Sequence, residues 1–143
     1  MRVDYETLMH EHDALDRLAE QLDRAIGEAS GPSTPALAAR ERLSTALIAH
    51  VAKEDSAIYP RLIGGNDASA AAAAQEVIHE FRDLMVDWID YARDWDRDRA
   101  LAEWDSFAAA TRALLARLRG RIKRENELLY PLALRASHIR LRA

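Results

Sequence analysis

Apolar positions recur at helical spacing along most of the chain and fall into four runs. Leu8, Leu15, Leu18, Leu22 and Ile26 form the first stripe, and Leu43, Leu47, Val51, Ile58 and Leu62 the second. Val77, Phe81, Leu84, Trp88 and Tyr91 form the third; Phe107, Leu114, Leu118, Ile122, Leu128, Leu129 and Leu132 form the fourth. Residues three and four apart share one face of a helix, so each run predicts a helix with one buried stripe. Three breaks separate the runs. Ser30-Gly31-Pro32-Ser33-Thr34-Pro35 is a loop by turn chemistry. Gly64-Gly65-Asn66-Asp67 can stop one helix and cap the next. The polar stretch Asp94-Trp95-Asp96-Arg97-Asp98 divides the third run from the fourth. The expected helices are 3–29, 36–63, 68–93 and 99–135. Long helices with short connections predict an all-α, antiparallel up-down four-helix bundle, with residues 1–143 as a single domain.

Composition narrows the chemistry. Cysteine is absent, so any metal site has to use His, Asp and Glu, which suits Fe, Mn or Zn better than Cu(I). The net charge of −4 gives no basic excess and argues against a nucleic-acid partner. No run of about 18 apolar residues exists, so no membrane span is expected. The N-terminal MRVDYETLMHEHD lacks an apolar signal core, and a cytoplasmic location follows as the expectation.

An internal repeat points to the candidate site. His50-Val51-Ala52-Lys53-Glu54-Asp55-Ser56-Ala57-Ile58-Tyr59-Pro60 is echoed by Arg121-Ile122-Lys123-Arg124-Glu125-Asn126-Glu127-Leu128-Leu129-Tyr130-Pro131. Glu54 matches Glu125, the apolar-Tyr-Pro endings match, and Leu43 and Leu47 match Leu114 and Leu118. The second and fourth helices are therefore pseudo-equivalent, with His50 opposite Arg121. His50 and Glu54 lie one turn apart on one face and continue the inward stripe of Leu43 and Leu47. At about 1.5 Å per residue, His12, His50, His79 and Glu125 fall in a slab roughly 6 Å thick, roughly 14–20 Å from the bundle end that holds the second connection. Four helices delivering ligand-type side chains to one layer is how bundles hold metals.

Taken together, Glu11-His12 on the first helix, His50-x-x-x-Glu54 followed by Tyr59-Pro60 on the second, His79 on the third, and Glu125 followed by Tyr130-Pro131 on the fourth resemble the hemerythrin-like (HHE) pattern over nearly the whole chain. The resemblance implies non-haem iron held by His and carboxylate ligands. Carried over by position, the ligands are His12, His50, Glu54, His79 and Glu125. The partner implied is a small diatomic molecule or peroxide, bound or sensed. Two departures qualify it. Arg121 stands where the family has a second His-x-x-x-Glu histidine, and a guanidinium cannot ligate. Asp83 stands four residues after His79, where oxygen-carrying members place a histidine. One ion in place of two, with Arg121 replacing the second, follows as an alternative, and so does a metal-free regulatory or scaffolding bundle in which Arg121 forks onto Glu54 or Glu125.

Other features take plainer readings. His10 lies two positions from His12, so only one can face inward. Leu8 and Leu15 flank His12 and favour it, whereas aligning His10-Glu11 with His79-Glu80 favours His10. A ferritin-like carboxylate bundle needs Glu-x-x-His twice, and only Glu76-x-x-His79 occurs. Lys123 and Arg124 read as a solvated face, Trp88, Trp95 and Trp104 as packing anchors near the third connection, and His138 as exposed tail. No general base, nucleophile or substrate pocket can be named, so a peroxide-removing activity rests on fold analogy alone and no enzyme is assigned. A homodimer or a protein partner stays open.

Overall fold

A computed structural model describes residues 5–64 and 67–135. Helix α1 spans Tyr5–Glu28, α2 Thr34–Ala57, the short α3 Tyr59–Ile63, α4 Ala68–Asp94, the short α5 Arg97–Ala102 and α6 Trp104–Arg124. A π-helical turn, Glu125–Leu129, extends α6, and the chain stays helical through 130–135. No strand occurs among the described residues, and no helix among them is long and apolar enough to cross a membrane. His138 lies outside the described residues.

Local chemistry sets the helix ends. The Ser33 hydroxyl accepts from the Ala36 amide (3.2 Å), and Pro35 sits in the first turn of α2, where its missing N–H matters least. Asp67 caps α4 by accepting from the Ser69 and Ala70 amides, both at 3.0 Å. Asp96 caps α5 through the Arg99 amide (2.9 Å).

Two expected helices are interrupted. The helix expected over 36–63 breaks at Ile58, two residues before Pro60. The helix expected over 99–135 kinks at Glu103 (φ −125°, ψ 55°) and widens into the π turn just before Pro131. Proline lacks an amide donor and its ring crowds the carbonyl four residues back, so a helix meeting it has to break or widen. In the second case the Tyr130 amide donates to the Glu125 carbonyl, five residues back.

Cross-helix contacts show an antiparallel bundle. Moving up α1 means moving down α6: His12 meets Asn126, and Asp23 meets Arg112. The same holds for α4 and α6, where Val77 meets Arg121 and Tyr91 meets Thr111. For α2 and α4, Ser44 accepts from the Trp88 indole (3.0 Å) and Asp55 faces Arg82. The larger part of the core lies toward the first and third connections and includes Leu22, Leu43, Trp88, Phe107 and Leu118. Trp95 and Trp104 pack on Phe107 there, with ring centroids 5.9 and 5.2 Å away. A smaller apolar cluster of Leu8, Ile58, Tyr59, Ile78, Leu129 and Tyr130 closes the opposite end. Between the two clusters lies a polar layer.

Candidate metal centre

Three helices carry the polar layer, each at a step where its apolar stripe is interrupted. On α1 the step between Leu8 and Leu15 is His12; on α2 His50 and Glu54 lie between Leu47 and Ile58; after α6 Glu125 lies between Ile122 and Leu129. His12, His50, Glu54 and Glu125 are 1%, 2%, 0% and 0% exposed, so no water competes for their charge. One potential ligand atom from each lies within 4.8 Å of every other. Metal bonds of about 2.0–2.2 Å place opposite donors about 4–4.4 Å apart, so the set closes on one ion with small side-chain adjustment.

The imidazoles are oriented from outside. The His12 Nδ1–H donates to Asn126 Oδ1 (2.6 Å), and the His50 Nδ1–H donates to Glu11 Oε1 (2.8 Å). Glu11 also pairs with Lys53 at the surface. An imidazole whose Nδ1 donates outward turns its Nε2 toward the interior, which is how metal-bound histidines are held.

Each carboxylate has one oxygen outside the hydrogen-bond network. Oε1 of Glu54 is buried with no hydrogen-bond partner; it lies 2.9 Å from His50 Nε2 without hydrogen-bonding alignment. Oε1 of Glu125 is likewise buried and unpartnered, 3.9 Å from His12 Nε2. An unpaired buried polar atom costs about 1–3 kcal/mol, and more when charged. The other oxygens meet tyrosines: the Tyr130 hydroxyl lies 3.3 Å from Glu54 Oε2, and the Tyr59 hydroxyl donates to Glu125 Oε2 (3.5 Å). Tyr130 also reaches His12 Nε2 (2.9 Å) and His50 Nε2 (3.4 Å).

Protonation reflects the same tension. Burial pulls the His12 imidazole down to about 4, with its contact to Asn126 pulling back only in part. Burial also works against a charged His50, but Glu54 and Glu11 beside it outweigh that and raise it above the ordinary value. Burial raises the Glu54 carboxyl, against the lowering effect of His50, Tyr130 and Tyr59. A cation in this layer relieves each penalty: it compensates the carboxylates and accepts the Nε2 lone pairs. Two imidazole nitrogens and carboxylate oxygens form a donor set for Fe, Mn or Zn.

His79, expected as a ligand, does not join this group. It is 79% exposed and lies 3.9 Å from Asp83, itself on the surface. The buried face of α4 runs through Val77, Ile78, Phe81, Leu84 and Trp88, and His79 sits between Val77 and Phe81, about 200° around the helix from either. His10 is exposed as well, and His12 is the α1 residue that faces inward. Arg121 does not fork onto Glu54 or Glu125. Its guanidinium donates to the Val77 carbonyl and to Glu80 Oε2, both at 3.0 Å, and lies over the Phe81 ring (5.6 Å). Glu80 also accepts from Arg124, so Arg124 is not simply solvated; hydrogen bonds from Arg121 and then Arg124 hold the Glu80 carboxyl below the usual range.

Glu11, Asn126 and Tyr130 escaped the sequence reading as members of the site. Glu11 and Asn126 are chain neighbours of His12 and Glu125, and only three-dimensional packing turns them toward a histidine on another helix. Tyr59 and Tyr130 stood out in the repeat, but five residues after a glutamate places a side chain about 140° away on an unbroken helix. The break at Ile58 and the π turn before Pro131 bring both hydroxyls back to the layer.

The fold and the site define a class: an all-α bundle with a buried, four-residue layer of His and Glu that could hold a cation. The family profile of the hemerythrin HHE cation-binding domain matches residues 3–133, and the chain belongs to that family. No curated protein and no solved structure matches the chain.

Proposed function

We propose that the protein is a non-haem iron protein that binds or senses oxygen or a related small oxidant such as peroxide, with His12, His50, Glu54 and Glu125 as the metal ligands. The observation that carries the reading is the pair of buried carboxylate oxygens, Glu125 Oε1 and Glu54 Oε1, neither of them hydrogen-bonded and the second only in ion-pair contact (2.9 Å) with His50 Nε2, beside two imidazoles whose Nε2 atoms are turned inward. A layer serving only stability would pair these atoms or replace them with apolar groups. The only cationic side chain expected to substitute for a metal, Arg121, is engaged by Glu80 and the Val77 carbonyl instead.

Iron bound here supplies a Lewis-acidic, redox-active centre, and four protein donors leave room in its coordination shell for a small molecule. Tyr130 places a phenol oxygen among the ligand atoms, where its O–H can hydrogen-bond such a molecule. The apolar clusters on both sides of the layer keep bulk water out.

The test is metal analysis of protein purified from iron-replete, low-oxygen culture, followed by ultraviolet-visible spectra with oxygen, nitric oxide and peroxide. Bound iron whose spectrum responds to one of these supports the reading. Protein that holds no iron, and takes up none after anaerobic reconstitution, overturns it.

A further inference from the structure

We propose that the bundle carries two related half-sites, that one of them is closed by Phe81 and Arg121, and that the centre therefore holds one ion. The inference rests on the metal-binding reading above and fixes what that reading leaves open.

The repeat seen in α2 and α6 extends to α1 and α4 once contacts are compared. Glu11 on α1 bridges His50 and Lys53 of α2. Glu80 on α4 bridges Arg121 and Arg124 of α6. His50 and Arg121 are repeat partners, as are Lys53 and Arg124, so Glu11 and Glu80 hold equivalent places. That register aligns the buried residues Leu8 with Val77, Leu15 with Leu84 and Leu22 with Tyr91. It also aligns His12, 1% exposed, with Phe81, 1% exposed.

The two halves then differ in one coupled respect. In the first, the His12 and His50 rings meet at 4.6 Å between centroids. In the second, the Arg121 guanidinium lies 5.6 Å from the Phe81 ring centroid. A histidine pair in one half stands where a cation–π pair stands in the other. The glutamates remain in both halves, and the tyrosines reach across: Tyr130 meets Glu54, and Tyr59 meets Glu125 as well as Glu54. The second half keeps its oxygen donor and has lost both nitrogen donors. It has gained a fixed positive charge one helical turn from Glu125, which opposes a second cation. Glu125 is thereby free to complete the shell of an ion held by His12, His50 and Glu54, and its Oε1 lies on the side of His12 Nε2.

The experiment compares the full chain with the double variant Phe81→His, Arg121→His after anaerobic loading with ferrous iron and air oxidation. Glu80 is already placed to accept from an imidazole introduced at position 121. The wild type is expected to hold about one iron per chain and to show the electron paramagnetic resonance signal of an isolated ferric ion; the double variant is expected to rise to about two. A wild type with two irons, or with an antiferromagnetically coupled, signal-silent ferric pair, overturns the single-ion inference while leaving the metal-binding reading intact. So does a double variant that is helical by circular dichroism and still binds one. Should the double variant fail to fold, the wild-type signal alone decides. An iron-free wild type overturns the metal-binding reading, and this inference with it.

Discussion

Replacing Glu125 by methionine separates the demands of a metal site from those of a bundle core. Glu125 is fully buried and its Oε1 has no hydrogen-bond partner. Methionine has similar length, no branch to strain the π turn and no polar oxygen to desolvate. Removing the unpaired oxygen recovers about 1–3 kcal/mol in the metal-free protein. For a chain of this size that is a rise in Tm of about 3–10 °C. His12 Nε2, its neighbour, keeps the Tyr130 hydroxyl at 2.9 Å, and the Tyr59 hydroxyl, which loses Glu125 Oε2, keeps Glu54 as an acceptor, so no new orphan is created. With iron present the order reverses. A ligand at about 100 times its Kd stabilises the wild type by about 2.7 kcal/mol, and the variant, having lost one ligand, forgoes most of that. The assay is thermal unfolding by circular dichroism, in chelator and in excess ferrous iron under nitrogen. A variant that melts at or below the wild type in chelator would refute the reasoning that these carboxylates strain the empty layer.

The same geometry makes four further predictions. Glu11→Ala removes the acceptor of the His50 Nδ1–H, and iron affinity should fall about 10- to 100-fold with helicity unchanged, as read by competition with a chelator. His79→Ala should leave iron stoichiometry unchanged, because that side chain is on the surface; Arg121→Ala should also retain the iron but lose about 1–2 kcal/mol of stability, because it removes a clasp between α4 and α6, as chemical denaturation will show. In the metal-free protein, the His12 resonances should titrate near pH 4 and those of His50 above the ordinary imidazole value in an NMR pH series. His12 refuses a proton that the unfolded chain takes up, so its share of stability, roughly 3 kcal/mol, is lost as pH falls from about 6.5 to about 4. The His50 share has the opposite sign and is lost as pH rises through its elevated value. Both rings titrating together near 6.5 would contradict this.

The bundle was legible because it rests on repetition. Stripes such as Leu43, Leu47 and Val77, Phe81, Leu84, together with the loop from Ser30 to Pro35 and the capping stretch that ends at Asp67, mark the long helices without reference to tertiary contacts. His12, His50, Glu54 and Glu125 were legible because each continues an apolar stripe. His79 was misread by height: its level along the bundle was reasonable, but it lies off the stripe by the same angular argument that sets His10 aside. The interruption at Ile58 and the π turn were not legible from periodicity, although Pro60 and Pro131 are their physical cause. The closing of the second half-site was hidden because it depends on pairing across helices: Arg121 alone looked like a lost ligand, and only its place over Phe81 shows that the two side chains form one contact.

The central claim is that one layer of side chains from α1, α2 and the turn after α6 encloses a single iron ion. Anomalous diffraction at the iron edge from crystals of the reconstituted protein tests it most directly. The expected map shows one peak within bonding distance of His12 Nε2, His50 Nε2 and the carboxylates of Glu54 and Glu125, with Phe81 and Arg121 on its far side. Iron bound instead at surface carboxylates, or a second peak beside Arg121, would contradict it.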